Sequence, residues 1–202
     1  LTLNDLIGFV SGIVASLQPA TTEKQLTLSH QTSLSELTAA FDTDKLEKVL
    51  TNLISNAIKY TPAGGNIRVI LEIVDADKDT RFVRFAVEDD GIGISPEHLG
   101  HIFDRFYRVS EESMAVGAGV GLNLTQELVE LLGGKIWVES EEAIGTAFYF
   151  TLPYNAGLVK KDRVAVKEEK NSVEIGVSGL IILIAEDDET SERLVSIHVR
   201  EL

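Results

Sequence analysis

The chain has 202 residues, of which 44% are hydrophobic and 25% charged, a composition that excludes a disordered chain or a coiled-coil array as the main architecture. This length allows one well-buried domain and a fragment of a second. No apolar run reaches the roughly 18 residues that a membrane-spanning helix needs, and the absence of cysteine excludes disulfides, thiolate zinc sites and thiol catalysis.

The charge of the chain is strongly negative. Its formal net charge is −14, and residues 1–154 alone carry 11 Lys and Arg against 22 Asp and Glu. Such an acidic surface repels a phosphate backbone, so nucleic acid is not an expected partner. A phosphate-bearing ligand would need a metal ion and backbone N–H donors in order to bind.

The first elements are predicted to be a helix and two short strands. Apolar residues at helical spacing predict a helix over Asn4–Gln18 that ends at Pro19. Alternating apolar and polar residues then predict strands at Gln25–Ser29 and Glu36–Phe41.

A strongly amphipathic helix and a hairpin follow. The helix has Asp44 as its expected N-cap and ends at Thr61-Pro62. The hairpin consists of two long strands, Asn66–Val74 and Arg81–Glu88, joined by a charged tip.

The remaining elements of the first domain complete the prediction of an α+β fold. A short helix over Ser95–Ile102 precedes an expected mobile loop, Ser110–Gly119, and a second amphipathic helix covers Leu122–Leu132. Another hairpin pairs Lys135–Ser140 with Gly145–Leu152. Together the elements predict a two-layer α/β sandwich, with a mixed, mostly antiparallel sheet packed on about three helices.

The composition changes after residue 154. Residues 155–178 are polar, lysine-rich and aperiodic, as in a linker. Leu180–Ala185 is an apolar run of strand length followed by Glu186 and Asp187. A buried strand that ends in acids opens a doubly wound fold, which the last 24 residues are too few to complete.

A polar ridge lies along the predicted second helix. Asn52, Asn56, Lys59 and Tyr60 recur at the period of the apolar face but turned away from it. Such a ridge suits a metal ion and phosphates, and it is also ordinary on any surface helix.

Glycine-containing clusters follow two of the predicted strands and precede a helix. Asp89 with Gly91 and Gly93 places a carboxylate beside a backbone that a planar ligand can approach, although Asp-Asp-Gly is also common in turns. A loop with three alternate glycines, Gly117, Gly119 and Gly121, precedes a helix whose N-terminus favours a polyphosphate. Gly145-Thr146, alone, indicates a turn.

Taken in this order, the four clusters resemble the N, G1, G2 and G3 boxes of the catalytic, ATP-binding domain of sensor histidine kinases. That domain shares a superfamily with gyrase-type ATPases and the heat-shock chaperone nucleotide domain. Residues Ile102–Arg108 are similar to the F box, which lies between G1 and G2 in the kinases. The resemblance covers about Leu1–Tyr154.

The resemblance implies ATP and Mg²⁺ as cofactors. It assigns Mg²⁺ to Asn56, the phosphates to Asn52 and Lys59, and the adenine amino group to Asp89; the first three are the expected catalytic residues. The other expected nucleotide-binding residues are Tyr60, Gly91, Gly93, Ile94, Phe106, Gly117, Gly119, Val120, Gly121, Leu122 and Thr146.

One position is expected to separate a kinase from a hydrolase. The ATPase relatives have a water-activating glutamate four residues before the metal asparagine, where this chain has Asn52. An amide is not a base at neutral pH, so slow hydrolysis is expected. Ala118 and Val120 depart from the Thr or Ser and the Leu that are usual in the family's lid motif.

The acceptor in this family is a histidine followed by an acid, on an upstream dimerisation segment of two helices. None of His30, His98, His101 and His198 is followed by Asp or Glu, so the acceptor is expected outside the chain. The chain starts at Leu1 without Met, and we expect it to be a piece of a longer protein.

The expected domains are the end of the dimerisation segment at 1–20, the catalytic domain at 21–154, a linker at 155–178 and a truncated receiver domain at 179–202. Glu186 and Asp187 resemble the Mg²⁺ acid pair of that receiver. The parent is expected to be a cytoplasmic hybrid kinase, homodimeric and with a possible inner-membrane anchor. Its expected partners are its own dimerisation domain and a receiver domain or response regulator.

Two alternatives remain open at this point. One is a stand-alone ATPase or chaperone-type switch of the same fold, and the other is a docking scaffold that binds no nucleotide. The F box favours the kinase, and Asn52 counts against the ATPase. The scaffold is disfavoured by Asp89, Asn56 and the three lid glycines.

Overall fold

The computed structural model describes residues 2–75, 81–108 and 120–154, which form seven strands and four helices. In chain order the elements are β1 (Thr2–Asp5), α1 (Leu6–Glu23), β2 (Thr27–Thr32), β3 (Thr38–Phe41), α2 (Thr43–Tyr60), β4 (Asn66–Asp75), β5 (Arg81–Asp89), α3 (Pro96–Leu99), α4 (Gly121–Leu131), β6 (Lys135–Glu141) and β7 (Gly145–Tyr154).

The main sheet has five strands in the order β2-β4-β5-β7-β6. Only β2 and β4 run parallel within it, and the other neighbours are antiparallel. The predicted fold class, a mixed and mostly antiparallel sheet with helices, is therefore confirmed. A separate two-stranded sheet pairs β1 with β3. The sequence prediction missed β1, because the predicted helix began at Asn4, inside this strand, and no element was predicted before it.

The core lies between one face of the main sheet and helices α1, α2 and α4. Phe85 and Phe150 lie opposite each other on β5 and β7, and their rings stack with centroids 4.4 Å apart. The other face of the sheet carries ion pairs, Arg68 with Glu88 at 2.8 Å and Arg84 with Glu72. One apolar face and one polar face give the two-layer arrangement.

Pro19 does not end α1, contrary to the sequence prediction. The helix continues to Glu23, past the predicted domain boundary at residue 20. The Thr21 and Thr22 hydroxyls both donate to the Gln18 carbonyl at 2.9 Å, and Thr21 is fully buried. Proline cannot donate to the Ala15 carbonyl, but this loss does not end the helix, whose last turn is held by the Thr21 and Thr22 hydrogen bonds and by the burial of Thr21.

Both ends of α2 are held by side chains from outside the helix. The N-cap is Asp42 rather than the predicted Asp44: its Oδ1 accepts from the Lys45 N–H at 3.1 Å, and Asp44 lies in the first turn. At the C-terminus, the Lys24 ammonium donates to the carbonyls of Ile58 at 2.6 Å and Lys59 at 2.8 Å. A cation at this end also interacts favourably with the helix dipole.

The third predicted helix is shorter than expected. It ends at Leu99 rather than Ile102, and the backbone then continues in successive tight turns, with His101 N–H bonded to the His98 carbonyl and Asp104 N–H to that of His101. No helix in the ranges described is long and apolar enough to cross a membrane. The predicted loop Ser110–Gly119, the linker and the receiver strand Leu180–Ala185 lie outside the described residues.

Candidate functional site

Asp89, the last residue of β5, is half-buried at the edge of the core. Burial raises the pKa of its carboxyl to about 6, although the backbone N–H groups of Gly91 and Thr146 bond to it and oppose that rise. The Gly91 N–H lies 3.0 Å from Asp89 Oδ1. The carboxyl group is therefore fixed in direction and partly desolvated.

Residues Gly91–Ile94 form a segment that we call the glycine turn. A Cβ on Gly91 would lie 2.7 Å from the Tyr60 carbonyl oxygen, which also accepts a hydrogen bond from the Ile92 N–H at 3.2 Å. Gly93 has φ +69°, and a Cβ there would lie 2.7 Å from the Glu141 carbonyl carbon. Both glycines are thus required by close packing of the protein's own backbone, whereas the sequence analysis explained them by the approach of a ligand.

Ser140 joins the glycine turn to the last hairpin. Its hydroxyl accepts from the Ile94 N–H at 2.8 Å, donates to the Gly145 carbonyl at 2.8 Å and lies 2.9 Å from Thr146 Oγ1. The sequence analysis did not single out this residue. Its signal was the hairpin register, which places Ser140 directly opposite Thr146.

The polar ridge of α2 is present as predicted. Lys59 Nζ lies 2.9 Å from the Tyr60 hydroxyl and 4.6 Å from the ring centroid, and Tyr60 is 42% exposed. Asn56 is half-buried, and its side chain makes no hydrogen bond within the described ranges. The Asn56 amide is therefore available to a ligand.

Asn52 sits where α2 meets α4. Its Nδ2 donates to Thr125 Oγ1 at 2.6 Å, and a Cβ on Gly121 would lie 2.6 Å from Asn52 Oδ1. A side chain at 121 would displace the Asn52 amide. Thr125 was also missed by the sequence analysis, although a polar residue in the buried stripe of an amphipathic helix is itself a signal.

Two open cavities border these groups. One of about 830 Å³ is lined by Asp89, Thr146 and Ser140 and extends over the polar face of the sheet to Arg68. The other, of about 620 Å³, lies between α2 and α4 and is lined in part by Asn52. They share no lining residue. Asp89 and Asn52 thus border different cavities, and we call their surroundings the Asp89 end and the Asn52 end of the candidate site. Between them, Asn56, Lys59 and Tyr60 follow Asn52 along α2 towards the glycine turn.

The remaining predicted site residues are placed as follows. Ile94 and Leu122 are half-buried against the core, and Val120 immediately precedes α4. Phe106 is 64% exposed, has φ +68° and lies beside Arg105. No hydrogen bond or ring contact links it to Asp89 in the described part of the chain. Gly117, Gly119, Glu186 and Asp187 lie outside the described residues.

The side chains of the candidate site suit a magnesium ion that is held mainly by the phosphates of a bound ligand. The described residues contain no cluster of three or more His, Cys, Asp or Glu side chains able to hold a metal by themselves. Mg²⁺ is usually held by one or two protein oxygens together with substrate phosphates and water. The unengaged Asn56 amide supplies one such oxygen.

Comparison with known proteins decides the family. Residues 41–156 match the family described as histidine kinase-, DNA gyrase B-, and HSP90-like ATPase. The chain belongs to this family. This match and the similarity to histidine kinases described below confirm the predicted resemblance to the sensor histidine kinase ATP-binding domain and the predicted fold.

Relatives within this ATPase family include sensor histidine kinases. Sensor histidine kinase WalK of Bacillus subtilis is 40% identical over 121 residues, 59% of this chain and 19% of WalK. Full-length ShkA in complex with AMPPNP has a TM-score of 0.66 at 28% identity, over 76% of this chain and 31% of ShkA. Histidine kinase ThkA in complex with response regulator TrrA has a TM-score of 0.62 at 25% identity, over 78% of this chain and 43% of that chain. The chain thus spans less than half of each.

The raised pKa of Asp89 predicts a pH-dependent stability. The folded chain binds this proton more tightly than the unfolded chain, whose carboxyl has the ordinary pKa of 3.8. The associated stability is full below pH 3.8 and is lost as pH rises through about 6. The Asp89→Asn variant lacks this loss. Its free energy of unfolding should therefore rise relative to that of the wild type as pH increases from 3.8 to about 6. Urea denaturation at a series of pH values measures the difference.

The neighbouring Asp90→Asn variant is the control. Partial burial acts upward on the pKa of Asp90, but hydrogen bonds from the Asn66 side chain and backbone hold it below its ordinary value. The ionised Asp90 carboxyl stabilises the fold, and this contribution is lost as pH falls. The free energy of unfolding of the Asp90→Asn control should therefore decrease relative to that of the wild type as pH rises. Slopes of the same sign for the two variants would contradict the assignment.

Proposed function

We propose that residues 21–154 bind ATP and Mg²⁺ as the catalytic domain of a sensor histidine kinase. The observation that carries the proposal is the half-buried Asp89 carboxyl, fixed between the glycine turn and β7. Membership of the ATPase family and similarity to ShkA, whose structure contains AMPPNP, support it. The stand-alone ATPase and the scaffold remain the alternatives that experiments must exclude.

The base would bind at the Asp89 end. Ionised Asp89 is an acceptor and suits the adenine amino group, a donor. Ser140 and the glycine turn position the surrounding backbone, and the Thr146 hydroxyl lies beside them. Tyr60, at the end of α2, would lie beside the adenine, and Gly91, Gly93 and Ile94 would form the adjoining wall.

The phosphates would bind along the α2 ridge. Asn56 would hold Mg²⁺, which neutralises phosphate charge when bound, and Lys59 would add a positive charge beside it in a chain whose net charge is −14. The N-terminal N–H groups of α4, after Val120, lack intrahelical partners and suit an anion. Gly117, Gly119, Gly121 and Leu122 would complete this end.

The phosphoryl acceptor would be a histidine of a separate dimerisation domain. Phosphoryl transfer to an imidazole needs positioning and charge neutralisation more than a strong base, which is consistent with an amide at Asn52. His98 and His101 are bonded to Tyr107 and Asp104 at 2.8 Å each. His30 is bonded to Ser11, and burial lowers its pKa.

The hybrid architecture of the parent is part of the same proposal. Residues 179–202, with Glu186 and Asp187, would begin a receiver domain joined by the linker 155–178, and residues 1–20 would connect to the dimerisation segment. ThkA, a structural relative, was solved in complex with a response regulator. A receiver or response regulator is therefore the proposed downstream partner.

Adenine recognition is tested by the Asp89→Asn variant. The amide replaces one acceptor oxygen with a donor that faces the base's own donor, so ATP affinity should fall about tenfold or more, roughly 1.5 to 3 kcal/mol. Isothermal calorimetry gives the dissociation constants, with Asp90→Asn as the matched control. Equal affinity in the wild type and Asp89→Asn would remove Asp89 from the site.

The metal role is tested by the Asn56→Ala variant. Losing the amide oxygen should abolish the enhancement of ATP binding by Mg²⁺ and leave adenosine binding nearly intact, because the base and phosphate ends are separate. Calorimetry with and without Mg²⁺ measures both, and Ser16→Ala, an exposed change on α1 that borders neither cavity, is the control. A normal Mg²⁺ effect in Asn56→Ala would assign the metal elsewhere.

The acceptor assignment is tested with radiolabelled ATP. The 202-residue chain should bind ATP without forming a stable phosphohistidine, and a histidine-containing two-helix dimerisation domain, added as a separate polypeptide, should become labelled. Transfer should be slow because the tether and its effective concentration are lost. Gel analysis at alkaline pH preserves phosphohistidine. A strong acid-labile label on this chain alone would place the acceptor among its own histidines.

A further inference from the structure

Thr125 is a buried polar residue with two hydrogen bonds, one within α4 and one that links α4 to α2. Its side chain lies in the core face of α4 and is 1% exposed. The hydroxyl lies 2.9 Å from the Gly121 carbonyl, one turn earlier in the same helix, and 2.6 Å from Asn52 Nδ2 on α2. A buried hydroxyl with both bonds made contributes to stability and to orientation.

The single proton of the Thr125 hydroxyl fixes the orientation of the Asn52 amide. A hydroxyl has one proton, and Thr125 donates it to the Gly121 carbonyl. Towards Asn52 it can therefore only accept, which requires the amide nitrogen on that side. The amide oxygen of Asn52 is left without a hydrogen-bond partner among the residues described, beside the first residue of α4.

This orientation matters because Asn52 and Asn56 lie one turn apart on the same face of α2. With Thr125 in place, Asn52 presents an acceptor oxygen. Without the hydroxyl, the amide loses its restraint and can turn its NH₂ group outward, which reverses the dipole. One turn from Asn56, the amide oxygen of Asn52 would favour a metal ion and its bound water, whereas its NH₂ group would favour a phosphate oxygen alone.

We propose that Thr125 is a positioning residue for the phosphate end of the nucleotide site: its hydroxyl holds the amide oxygen of Asn52 beside Gly121, in the lining of the cavity between α2 and α4, and joins α4 to α2. The residue acts through Asn52 and contacts neither nucleotide nor metal. The inference rests on the proposed function for its ligand, and on the contacts of Asn52, Gly121 and Thr125 for its geometry.

The test compares two variants of Thr125. Thr125→Val keeps the shape and removes the hydroxyl, and Thr125→Ser keeps the hydroxyl and removes a methyl group. The Val variant should lose about tenfold or more in Mg²⁺-ATP affinity or in phosphoryl transfer to a separate dimerisation domain, the size usual for groups that orient metal ligands. Its adenosine affinity should stay within about twofold, and the Ser variant should stay near the wild type on all counts.

Two further readouts separate positioning from packing. The side-chain NH₂ resonances of Asn52, recorded by NMR without nucleotide, should shift in Thr125→Val and stay in place in Thr125→Ser. In an Asn52→Ala background, the Val and Ser variants should have equal Mg²⁺-ATP affinities, because the group that Thr125 orients is gone.

The opposing results are distinct. Equal losses in the Val and Ser variants, or equal weakening of adenosine and Mg²⁺-ATP binding, would show a packing role and overturn the proposal. Unchanged Mg²⁺-ATP binding and transfer in Thr125→Val would overturn it as well. If the NMR shifts occur but the wild type binds no nucleotide, the proposed function fails and the positioning role fails with it, while the link between Thr125 and Asn52 stands.

Discussion

The glycine turn lies between two pieces of backbone, and this packing governs the geometry of the Asp89 end. On one side, the Tyr60 carbonyl at the end of α2 accepts from the Ile92 N–H. On the other side, the Ile92 carbonyl accepts from the Ala143 N–H at 2.8 Å in the turn between β6 and β7. Side chains at Gly91 or Gly93 would force these pieces apart. The direction of the Asp89 carboxyl, bonded to Gly91, follows from this close fit.

The same arrangement reconciles an acidic chain with a ligand that carries negative charge. Most carboxylates are exposed or paired with arginine on the polar face of the sheet, as Glu72 and Glu88 are. Asp89 differs from these: it is half-buried and bonded by backbone N–H groups, and burial raises its pKa. The polar ridge of α2 consists of two neutral amides, one lysine and one tyrosine. A base and a phosphate chain would thus meet different chemistry at the two ends of one site.

Much of the fold was predictable from the sequence because its signals are local. Apolar periodicity located α2, α4 and both hairpins, and the motif order identified the family. The errors occurred where tertiary contacts decide. Helix α1 continues past Pro19 to a last turn in which Thr21 is buried, and Asp42 caps α2 although the local capping pattern favoured Asp44. Ser140 and Thr125 act across elements distant in sequence, and no local pattern specifies such partners.

The packing of Gly145 against the backbone of Asp89 has a consequence for folding. A Cβ on Gly145 would lie 3.0 Å from the Asp90 Cα, so the last strand closes directly on the end of β5. These residues are far apart in sequence, so the chain between them must close into a loop before they can pair. A chain in which β7 has not yet paired with β5 therefore lacks the β7 backbone that packs against Asp89. A ligand that binds beside Asp89 needs this β7 backbone, so it binds only the folded domain. Such binding shifts the folding equilibrium towards the folded state by mass action.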